Sequence, residues 1–477
     1  MTAVLIASLG DPAAAWDGVS LVRIHPQDRA SFEAASAVAR EVWSEHPDHE
    51  GGIDLAVEHA RLGELELIVG DYEVRSEDIG AVAAAEHTRL ASRTLVSSPL
   101  GGSVGEPDFF DDFRDLNEHE AAWAEIAEAL PELITRDQIG VSYEGRKIWV
   151  YEISTAPPDA PAVFINFGQH AREWITMMSA TYFLTNLVES YPDSNELQEL
   201  FSQVRVYIVP LVNPDGYRYT WTDDRFWRKN RRDGVGVDLN RNWSVAWGLE
   251  PGSSSDPEHG NYRGAGPFSE PETSALRAFM AYKREIVAHC DVHSYSQLVL
   301  YPLSYLSYEV PELQGKNRAW AEQQAVAMSE LHGTEYVPLR GSELYPATGV
   351  AMDWGFGERD MMTFTYELRP GTDIEFPDGF VLPPEEIRPT CEEAEAGLYA
   401  LIRFAADGGP EPVDPPPPNP PPVEEETGGT EGEVGTDGRP NLSEGGTMTG
   451  CACSSSNPTP ESAFLSLGLL GLLRRRR

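Results

Sequence analysis

Residues 161–174 read PAVFINFGQHAREW, and this stretch joins a predicted strand to two side chains that can bind a metal. Its first residues are mostly apolar, favour β-structure and end in Gly168, which predicts a buried strand followed by a turn. His170 and Glu173 come next, and a histidine with a carboxylate three residues later can bind one Zn²⁺ while leaving positions for a third ligand and a water. Taken alone this spacing is a weak signal, because many such tetrapeptides are ordinary surface residues.

Two further polar residues come directly after apolar runs. His293 follows the run at 286–292, and Glu367 follows the run at 361–366. Ligands of open α/β sheets bind beyond the carboxyl ends of the strands, so we expect both side chains to meet His170 at one edge of a sheet. Zn²⁺ held by two neutral imidazoles and one carboxylate keeps a net charge of about +1, which polarises a carbonyl and acidifies water. Glu367, outside the ligand set, could move a proton from that water to a leaving amine.

Arginines stand beside amides in two loops of the chain. Arg228 lies in RFWRKN at 225–230, and Asn240 precedes Arg241 in DLNRNW at 238–243. A planar guanidinium with an amide beside it suits bidentate binding of a carboxylate. Arginines on a loop are often only a solvated face, but their grouping in a strongly acidic chain favours a site for an anionic group of the substrate.

Length, charge and cysteine usage limit the class of protein. The chain has 477 residues, which predicts two or three folded units. Its 77 acidic and 36 basic residues give a net charge of −41, which argues against nucleic acid as a partner and favours a soluble surface that is extracytoplasmic or salt-tolerant. The four cysteines predict no disulfide framework, because Cys290 and Cys391 lie in apolar or helical segments as buried thiols.

Shifts in composition divide the chain into segments. Residues 1–15 are apolar and end in an alanine run, as a signal peptide does, but they lack a basic start and carry Asp11. A signal whose true start lies upstream of Met1 would explain both features, and the alternative is a disordered first stretch. Segments rich in Pro, Gly and Glu cannot bury a core and predict linkers. The other segments are a small unit at 16–92, a linker at 93–108, a large domain at 109–406, a linker at 407–449 and a C-terminal segment at 450–477.

Apolar periodicity predicts the elements of the two folded units. The small unit is predicted to be α+β, with strands at 19–24, 52–57 and 65–69 and helices at 28–45 and 76–90. The large domain alternates strands with helices, which indicates an α/β domain with a mixed, mainly parallel sheet covered by helices on both faces. Its predicted strands are at 147–153, 162–167, 204–209, 286–292, 298–301 and 361–366, and its predicted helices are at 117–129, 174–190, 271–283, 316–331 and 385–404.

Nine segments of the large domain match the motifs of one family in the right order. They are YEGR at 143–146, HAREW at 170–174, NPDGY at 213–217, WRK at 227–229, DLNRNW at 238–243, HSYSQ at 293–297, Tyr345, DW at 353–354 and TYELR at 365–369. On these motifs residues 109–406 resemble the zinc carboxypeptidases of the pancreatic A/B type. The resemblance implies one catalytic Zn²⁺ and hydrolysis of the C-terminal peptide bond of peptides and proteins.

The resemblance also implies the catalytic roles. His170, Glu173 and His293 would be the zinc ligands. Glu367 would be the general base and then the proton donor, and Arg228 would polarise the scissile carbonyl and stabilise the oxyanion.

A second set of residues would bind the substrate. Asn240 and Arg241 would bind the terminal carboxylate, and Tyr345 would close over it. Arg172 and Tyr295 would line the neighbouring subsites. The loop between Trp227 and Tyr262 has no cysteine, whereas pancreatic members carry a disulfide there.

Met352 occupies the position that largely sets specificity in this family. An apolar residue there goes with apolar or aromatic C-terminal residues, and Asp goes with basic ones. Ala347, Ala351 and Thr365 agree with an apolar pocket. Arg340 is unusual for such a pocket and would either favour acidic ends or point outward.

The N-terminal unit resembles the activation segment of this family, a ferredoxin-like pro-domain that covers the mouth of the active site. The resemblance rests on WDGVSLVRI at 16–24, on the order of elements and on location. It implies a zymogen that an activating protease cuts near Arg89 or Arg93.

The C-terminal segment combines Cys451 and Cys453, an apolar run at 463–473 and four final arginines. The run is shorter than the roughly 20 residues that span a bilayer, and a basic end would stay on the cytoplasmic side. The segment resembles a myxobacterial C-terminal sorting signal, which implies export, removal of the end near the cysteines and membrane or cell-surface anchoring. The alternative is an unstructured tail with an apolar end.

These features predict a secreted or surface-anchored monomer that acts on peptide and protein C-termini. One alternative is a zinc amidohydrolase that acts on cell-wall or other non-protein amides, and the carboxylate-binding pair favours peptides over it. The other alternative is a surface binding module on an inactive peptidase scaffold. Retention of Glu367 and of all three metal ligands counts against that module.

Overall fold

The computed structural model describes residues 11–44, 51–96, 98–102, 107–308, 310–343, 346–371 and 379–408. All of them lie within residues 1–414, which contain the N-terminal unit and the large domain. The predicted start of a signal peptide, nearly all of the second linker and the whole C-terminal segment therefore lie outside the described residues. None of the helices in the described part is both long and apolar enough to cross a membrane.

The N-terminal unit is an antiparallel four-stranded sheet with three helices. Its elements are β1 (Val19–Ile24), α1 (Arg29–Val38), β2 (Glu41–Val42), β3 (Ile53–Glu58), α2 (Leu62–Val69), β4 (Glu73–Ser76) and α3 (Ile79–Ser92). The strand order β2-β3-β1-β4 around the sequence βαββαβ is the ferredoxin-like arrangement. The predicted class of this unit therefore agrees with its topology.

Two predictions in this unit are wrong. Residues 65–69 form the end of helix α2 and not a strand, because Leu62, Leu65 and Ile68 recur at helical spacing and pack on the core of the sheet. The predicted helix at 28–45 ends at Val38, because the chain turns into the short strand β2.

The large domain is built on a sheet of eight strands. Its elements are α4 (Leu116–Ala129), β5 (Ile134–Val141), β6 (Lys147–Ile153), β7 (Ala162–Phe167), α5 (Trp174–Ser190), α6 (Asn195–Phe201), β8 (Arg205–Val209), α7 (Pro214–Thr222), α8 (Pro271–Tyr282), β9 (Ile286–Ser294), β10 (Leu298–Tyr301), α9 (Pro311–His332), β11 (Val337–Arg340), α10 (Ala351–Arg359), β12 (Met362–Leu368) and α11 (Ile387–Asp407). The strand order is β11-β10-β12-β9-β7-β8-β6-β5.

The middle of this sheet is parallel and both of its faces are covered. Strands β12, β9, β7 and β8 run parallel, whereas β6 and β10 run antiparallel to their inner neighbours. Along β7, Val163 and Ile165 face a core shared with α4, α5, α9 and α11, and Ala162 and Phe164 face a second core shared with α8 and α10. The predicted mixed, mainly parallel α/β fold is confirmed.

The elements that the sequence did not predict have weak apolar patterns. Strand β5 is largely exposed at the sheet edge, so its residues do not form an apolar run. Helix α10 contains Gly355 and Gly357, which lower its helix propensity. Helix α7 begins at Pro214 and is capped by the side chain of Asn213, which accepts a hydrogen bond from Gly216 N. Strand β11 is a short edge strand that contains Pro338.

Gly168 makes the turn that leads from the sheet to the site. Its φ is +66°, and an added Cβ would lie 2.7 Å from Met177 Sδ and 2.8 Å from Leu211 Cδ1. Only glycine therefore suits this position in both conformation and space. The turn places His170 beyond the carboxyl end of β7, next to the ends of β9 and β12, where Glu367 pairs in register with His293.

Candidate active site

Three side chains at the carboxyl edge of the large sheet bring their ligand atoms together. His170 follows β7, Glu173 directly precedes α5, and His293 lies near the end of β9. All three are buried, and one ligand atom from each lies within 4.8 Å of the others. His170 Nδ1 is 2.8 Å from Glu173 Oε1, His293 Nδ1 is 3.0 Å from Glu173 Oε2, and the two Nδ1 atoms are 3.0 Å apart. These residues form a candidate metal centre.

A second layer of carboxylates orients both imidazoles. His170 Nε2 is 3.1 Å from Asp238 Oδ1, and His293 Nε2 is 2.8 Å from Asp291 Oδ2. Metal-binding histidines commonly donate their other ring N–H to a carboxylate, which fixes the tautomer. With the protons on Nε2, the two Nδ1 lone pairs and the Glu173 carboxylate face one point. Two nitrogens and one oxygen in this arrangement are a donor set that Zn²⁺ accepts, so the residues fit that ion.

The electrostatics of this cluster favour a cation. Burial alone would lower the pKa of His293, but the Asp291 and Glu173 carboxylates raise it well above its usual value. Burial alone would raise the pKa of Glu173, but His170 and His293 lower it below its usual value. The carboxylates of Glu173 and Asp291 are therefore negatively charged groups buried away from water, and such groups require a positive charge close by.

Glu367 and Arg228 flank the candidate metal centre. Glu367 is 2% exposed and pairs in register with His293 across the parallel strands β9 and β12. Arg228 is buried, with its Nη1 3.3 Å from His170 Nδ1 and its Nη2 donating to Asp238 Oδ2 at 2.8 Å. Burial alone would raise the pKa of Asp238, but Arg228 and then His170 lower it far below its usual value. The two residues predicted to take part in the chemistry therefore lie beside the predicted ligands.

The predicted carboxylate-binding pair adjoins His293. Asn240 Nδ2 lies 3.4 Å from His293 Nε2, and Asn240 Oδ1 accepts a hydrogen bond from Ala351 N at 2.9 Å. Arg241 is buried and donates from Nε to Gly252 O at 2.9 Å. The third predicted member of this group, Tyr345, lies outside the described residues.

Met352 lies in a small apolar cluster beside the metal-binding strands. It packs with Leu298 and Leu300 of β10, and its Sδ is 3.7 Å from Thr365 Oγ1. Burial raises the pKa of the adjacent Asp353 to about 7, although its carboxylate accepts hydrogen bonds from Ser304.

The other residues considered for the pocket are placed differently. Ala347 donates from its backbone N to Ser304 O at 2.9 Å, at the side of the cluster that contains Met352. Ala351 belongs to the core on the far face of the sheet. Arg340, half-buried on the edge strand β11, donates from Nε to Ser342 Oγ at 3.0 Å.

Arg172 and Tyr295 are in contact with the N-terminal unit. Arg172 Nη1 donates to Glu41 Oε1 at 2.8 Å, and the Tyr295 hydroxyl donates to Asp54 Oδ2 at 2.7 Å. The Trp43 ring covers the same place, with its centroid 5.6 Å from the Arg172 guanidinium carbon. Both side chains predicted to bind substrate are thus engaged by the small unit.

Further contacts hold the two units together. Trp43 packs in one apolar cluster with Phe226 and Phe380 of the large domain. Arg225 Nε donates to Glu86 Oε2 at 2.5 Å, and both side chains are 2% exposed. The N-terminal unit therefore packs on the large domain through an apolar centre and buried ion pairs. This contact covers loops of the large domain near the candidate metal centre.

Asp238 and Asp291 are the functional residues that sequence reasoning missed. Asp291 carries a usable signal, because it stands two residues before His293 on one strand and so shares its face of the sheet. Asp238 is 68 residues away from His170 and meets it only in the folded chain. A search for a carboxylate two residues before each strand-end histidine would find Asp291 but not Asp238.

A buried cluster of two histidines and one glutamate, at the carboxyl edge of a mixed α/β sheet, is a ligand set of the kind found in zinc-dependent hydrolases. The sequence profile of the family described as zinc carboxypeptidase matches residues 119–397, and this chain belongs to that family. It is a metallocarboxypeptidase, a hydrolase that acts on peptide bonds and uses one catalytic Zn²⁺.

Individual relatives agree with this membership. The chain is 34% identical over 357 residues to carboxypeptidase B of Rattus norvegicus, covering 72% of this chain and 85% of that protein. It is 37% identical over 345 residues to carboxypeptidase A1 of Mus musculus, covering 69% of this chain and 78% of that protein. Both relatives are carboxypeptidases, which agrees with the match to the family profile.

Solved structures are similar to most of this chain. The crystal structure of thrombin activatable fibrinolysis inhibitor matches with a TM-score of 0.70 and 26% identity, covering 82% of this chain and 99% of that one. The carboxypeptidase A from Helicoverpa armigera matches with a TM-score of 0.71 and 27% identity, covering 82% and 98%. Each of these two structures covers a larger share of the chain than the family profile, which matches residues 119–397.

Proposed function

We propose that this enzyme removes the C-terminal residue of peptides and proteins at a zinc ion held by His170, Glu173 and His293. The observation that carries this proposal is the convergence of two oriented Nδ1 atoms and one carboxylate at the edge of the sheet. Bound there, Zn²⁺ supplies Lewis-acid polarisation of the scissile carbonyl and of the attacking water.

The chain's own residues would then move protons and bind charge. Glu367 takes a proton from the attacking water and returns one to the leaving amine, so that the acid and the amine products both form. Arg228 donates to the carbonyl oxygen as negative charge develops on it. Its existing pair with Asp238 holds the guanidinium in place before substrate binds.

Recognition of a free C-terminus would fall to the residues next to His293. Asn240 and Arg241 bind the terminal carboxylate, and Tyr345 is assigned to close over it by family resemblance. Arg172 and Tyr295 bind the residues that precede the scissile bond. Bidentate binding by arginine makes this recognition selective for a carboxylate over an amide.

The pocket for the last side chain would take apolar or aromatic residues. Met352, Leu298 and Leu300 give it an apolar base, and the half-buried Arg340 bonds to Ser342 at the sheet edge. Leu or Phe at the substrate C-terminus gains from burial there, whereas Lys or Asp would lose hydration without a charged partner.

A peptide panel tests the activity and the preference together. The processed enzyme should release Leu and Phe faster than Lys or Glu, should leave an amidated peptide intact, and should lose activity in a chelator and regain it with Zn²⁺. Glu367→Gln should lower kcat by about 10²–10⁴ with zinc content unchanged. Release that continues at full rate without metal would contradict the proposal.

The N-terminal unit would keep the enzyme inactive until it is removed. Glu41 and Asp54 occupy the donors of Arg172 and Tyr295, and Trp43 covers the same subsites, so a long substrate cannot bind. The linker at 93–108 is the segment whose cleavage would free residues 16–92. Comparison of the uncut chain with the large domain freed of residues 16–92, on one peptide, tests this: equal rates would contradict a zymogen.

The enzyme would act outside the cytoplasm as a monomer. The apolar start at 1–15, the acidic surface and the sorting-like segment at 450–477 support export and attachment to the cell surface. Fractionation of cells that express the full chain, compared with a chain ending at 449, tests this proposal. Loss of surface activity only from the shorter chain is the expected result, and equal retention of both would contradict anchoring.

A further inference from the structure

After its first residue, Arg93, the linker that joins the N-terminal unit to the large domain has no basic residue. Residues 94–113 read TLVSSPLGGSVGEPDFFDDF, with neither Lys nor Arg. A protease that requires a basic residue before the cut must therefore use Arg89, Arg93 or Arg114. The location of these three side chains decides whether such a protease can act.

All three arginines are engaged. Arg89 lies in the last turn of α3 and pairs with Asp112. Arg93 pairs with Glu118 and its side chain is 13% exposed, and Arg114 is 1% exposed. A trypsin-like enzyme would have to withdraw an arginine from a carboxylate or unwind the end of a helix before it could bind. Native chains resist such cuts because proteolysis needs a locally opened backbone.

Leu95, unlike these arginines, has an exposed side chain outside any helix. Its side chain is 75% exposed, and it lies in irregular backbone beyond the end of α3, next to the exposed Thr94. Leu67 is more exposed, at 89%, but its backbone is inside helix α2. Phe109 is 1% exposed, so its ring is not available to a protease pocket. An exposed apolar side chain and a non-helical backbone thus coincide at Leu95.

We infer that activation occurs by cleavage after Leu95, by an endopeptidase whose primary pocket takes an apolar side chain. The bond between the Leu95 carbonyl carbon and the Val96 nitrogen breaks, and water supplies a hydroxyl to the first and a proton to the second. The inference rests on the proposed zymogen, because it names where and by which class of protease the segment is released.

Cleavage after Leu95 would not by itself release the N-terminal fragment from the large domain. Arg89 and Arg93 stay with the N-terminal fragment, so their pairs with Asp112 and Glu118 survive the cut. The buried partner of Glu86 in the large domain is also unaffected. The fragment therefore remains bound after hydrolysis and leaves in a second step.

Limited proteolysis of the full chain tests the inference, with chymotrypsin and trypsin as probes of the two classes. Chymotrypsin should yield a catalytic fragment that begins at Val96, and trypsin should yield none that begins at Leu90, Thr94 or Asp115. The variant Leu95→Arg should exchange these outcomes, so that trypsin now produces the fragment beginning at Val96. Leu67→Arg is the matched control, because it places the same exposed side chain within a helix and should behave as the wild type.

N-terminal sequencing and activity report on different claims. A trypsin fragment of the wild type that begins at Leu90 or Thr94 would overturn the inference, as would a chymotrypsin fragment that begins elsewhere or fails to form. If the fragment begins at Val96 but, once freed of the N-terminal fragment, is no more active than the uncut chain, the cleavage site stands and the zymogen proposal fails.

Discussion

Replacing Glu86 by glutamine should release the active site of the uncut chain. Glu86 on α3 and Arg225 in the large domain form a buried ion pair between the units, and each side chain is 2% exposed. Glu86→Gln keeps the size of the side chain but leaves the Arg225 charge without its carboxylate. The docked state loses stability, whereas the undocked state, in which water solvates both groups, does not.

The structure sets the size of this effect. Removing one partner of a buried pair costs about 3–5 kcal/mol. Arg225 keeps hydrogen bonds to Arg172 O at 3.1 Å and Phe380 O at 2.8 Å, and it lies 3.6 Å from the centroid of the Trp174 ring. These contacts favour the lower end of the range, about 3 kcal/mol. At about 1.4 kcal/mol for each factor of ten, the population of undocked chains should rise about 100-fold.

The assay is the rate of C-terminal release by the uncut chain. Glu86→Gln should show a basal rate about 100-fold above the wild type. After complete processing the two preparations should be identical in kcat and KM, because Glu86 leaves with the N-terminal fragment. Glu64→Gln is the matched control: Glu64 is 55% exposed and pairs with Arg61 on the same unit, so its loss should have little effect.

One outcome would refute the reasoning. If the uncut Glu86→Gln chain is folded and has the basal rate of the wild type, the buried pair does not control docking. An equal rise in the Glu64→Gln control would also refute it, because general loosening of the small unit would then be the cause.

Three other outcomes follow from the site. Asp291→Asn removes the carboxylate on His293 Nε2 and should weaken zinc binding about 10–100-fold, measured by competition with a chelator. Met352→Asp should shift the preference from apolar towards basic C-terminal residues on the peptide panel. Burial raises the pKa of Asp353 to about 7 from 3.8, so folding favours its protonated form and this one carboxyl should contribute a loss of stability as the pH rises from about 4 to about 7. Asp353→Asn should flatten that loss, measured by urea unfolding at both ends of the range.

The sequence predicted elements best where burial is complete. The bounds of β7 and α5 agree with the predicted 162–167 and 174–190, because every residue of that strand and most of that helix face a core. The same reasoning predicted that His170, His293 and Glu367 would lie together at the carboxyl edge of one sheet, although β9 and β12 extend past their predicted ends and include His293 and Glu367. The end of a strand can be predicted from the local sequence, and the carboxyl ends of parallel strands lie at the same edge of the sheet.

Contacts that depend on docking could not be predicted in this way. Arg172 and Glu41 are 131 residues apart, and Tyr295 and Asp54 are 241 apart, so no local pattern joins them. Residues 65–69 were misassigned because a short apolar run suits a buried strand and a helix equally well.

The loop between Trp227 and Tyr262 is held by hydrogen bonds from two basic side chains. Lys229 Nζ donates to Pro257 O at 2.8 Å and to His259 O at 3.2 Å, while Arg241 holds Gly252 O. The residue predicted to bind the substrate carboxylate is thus also bonded to this loop. Charge-assisted hydrogen bonds to backbone carbonyls thus connect this loop to the residues that flank the candidate metal centre.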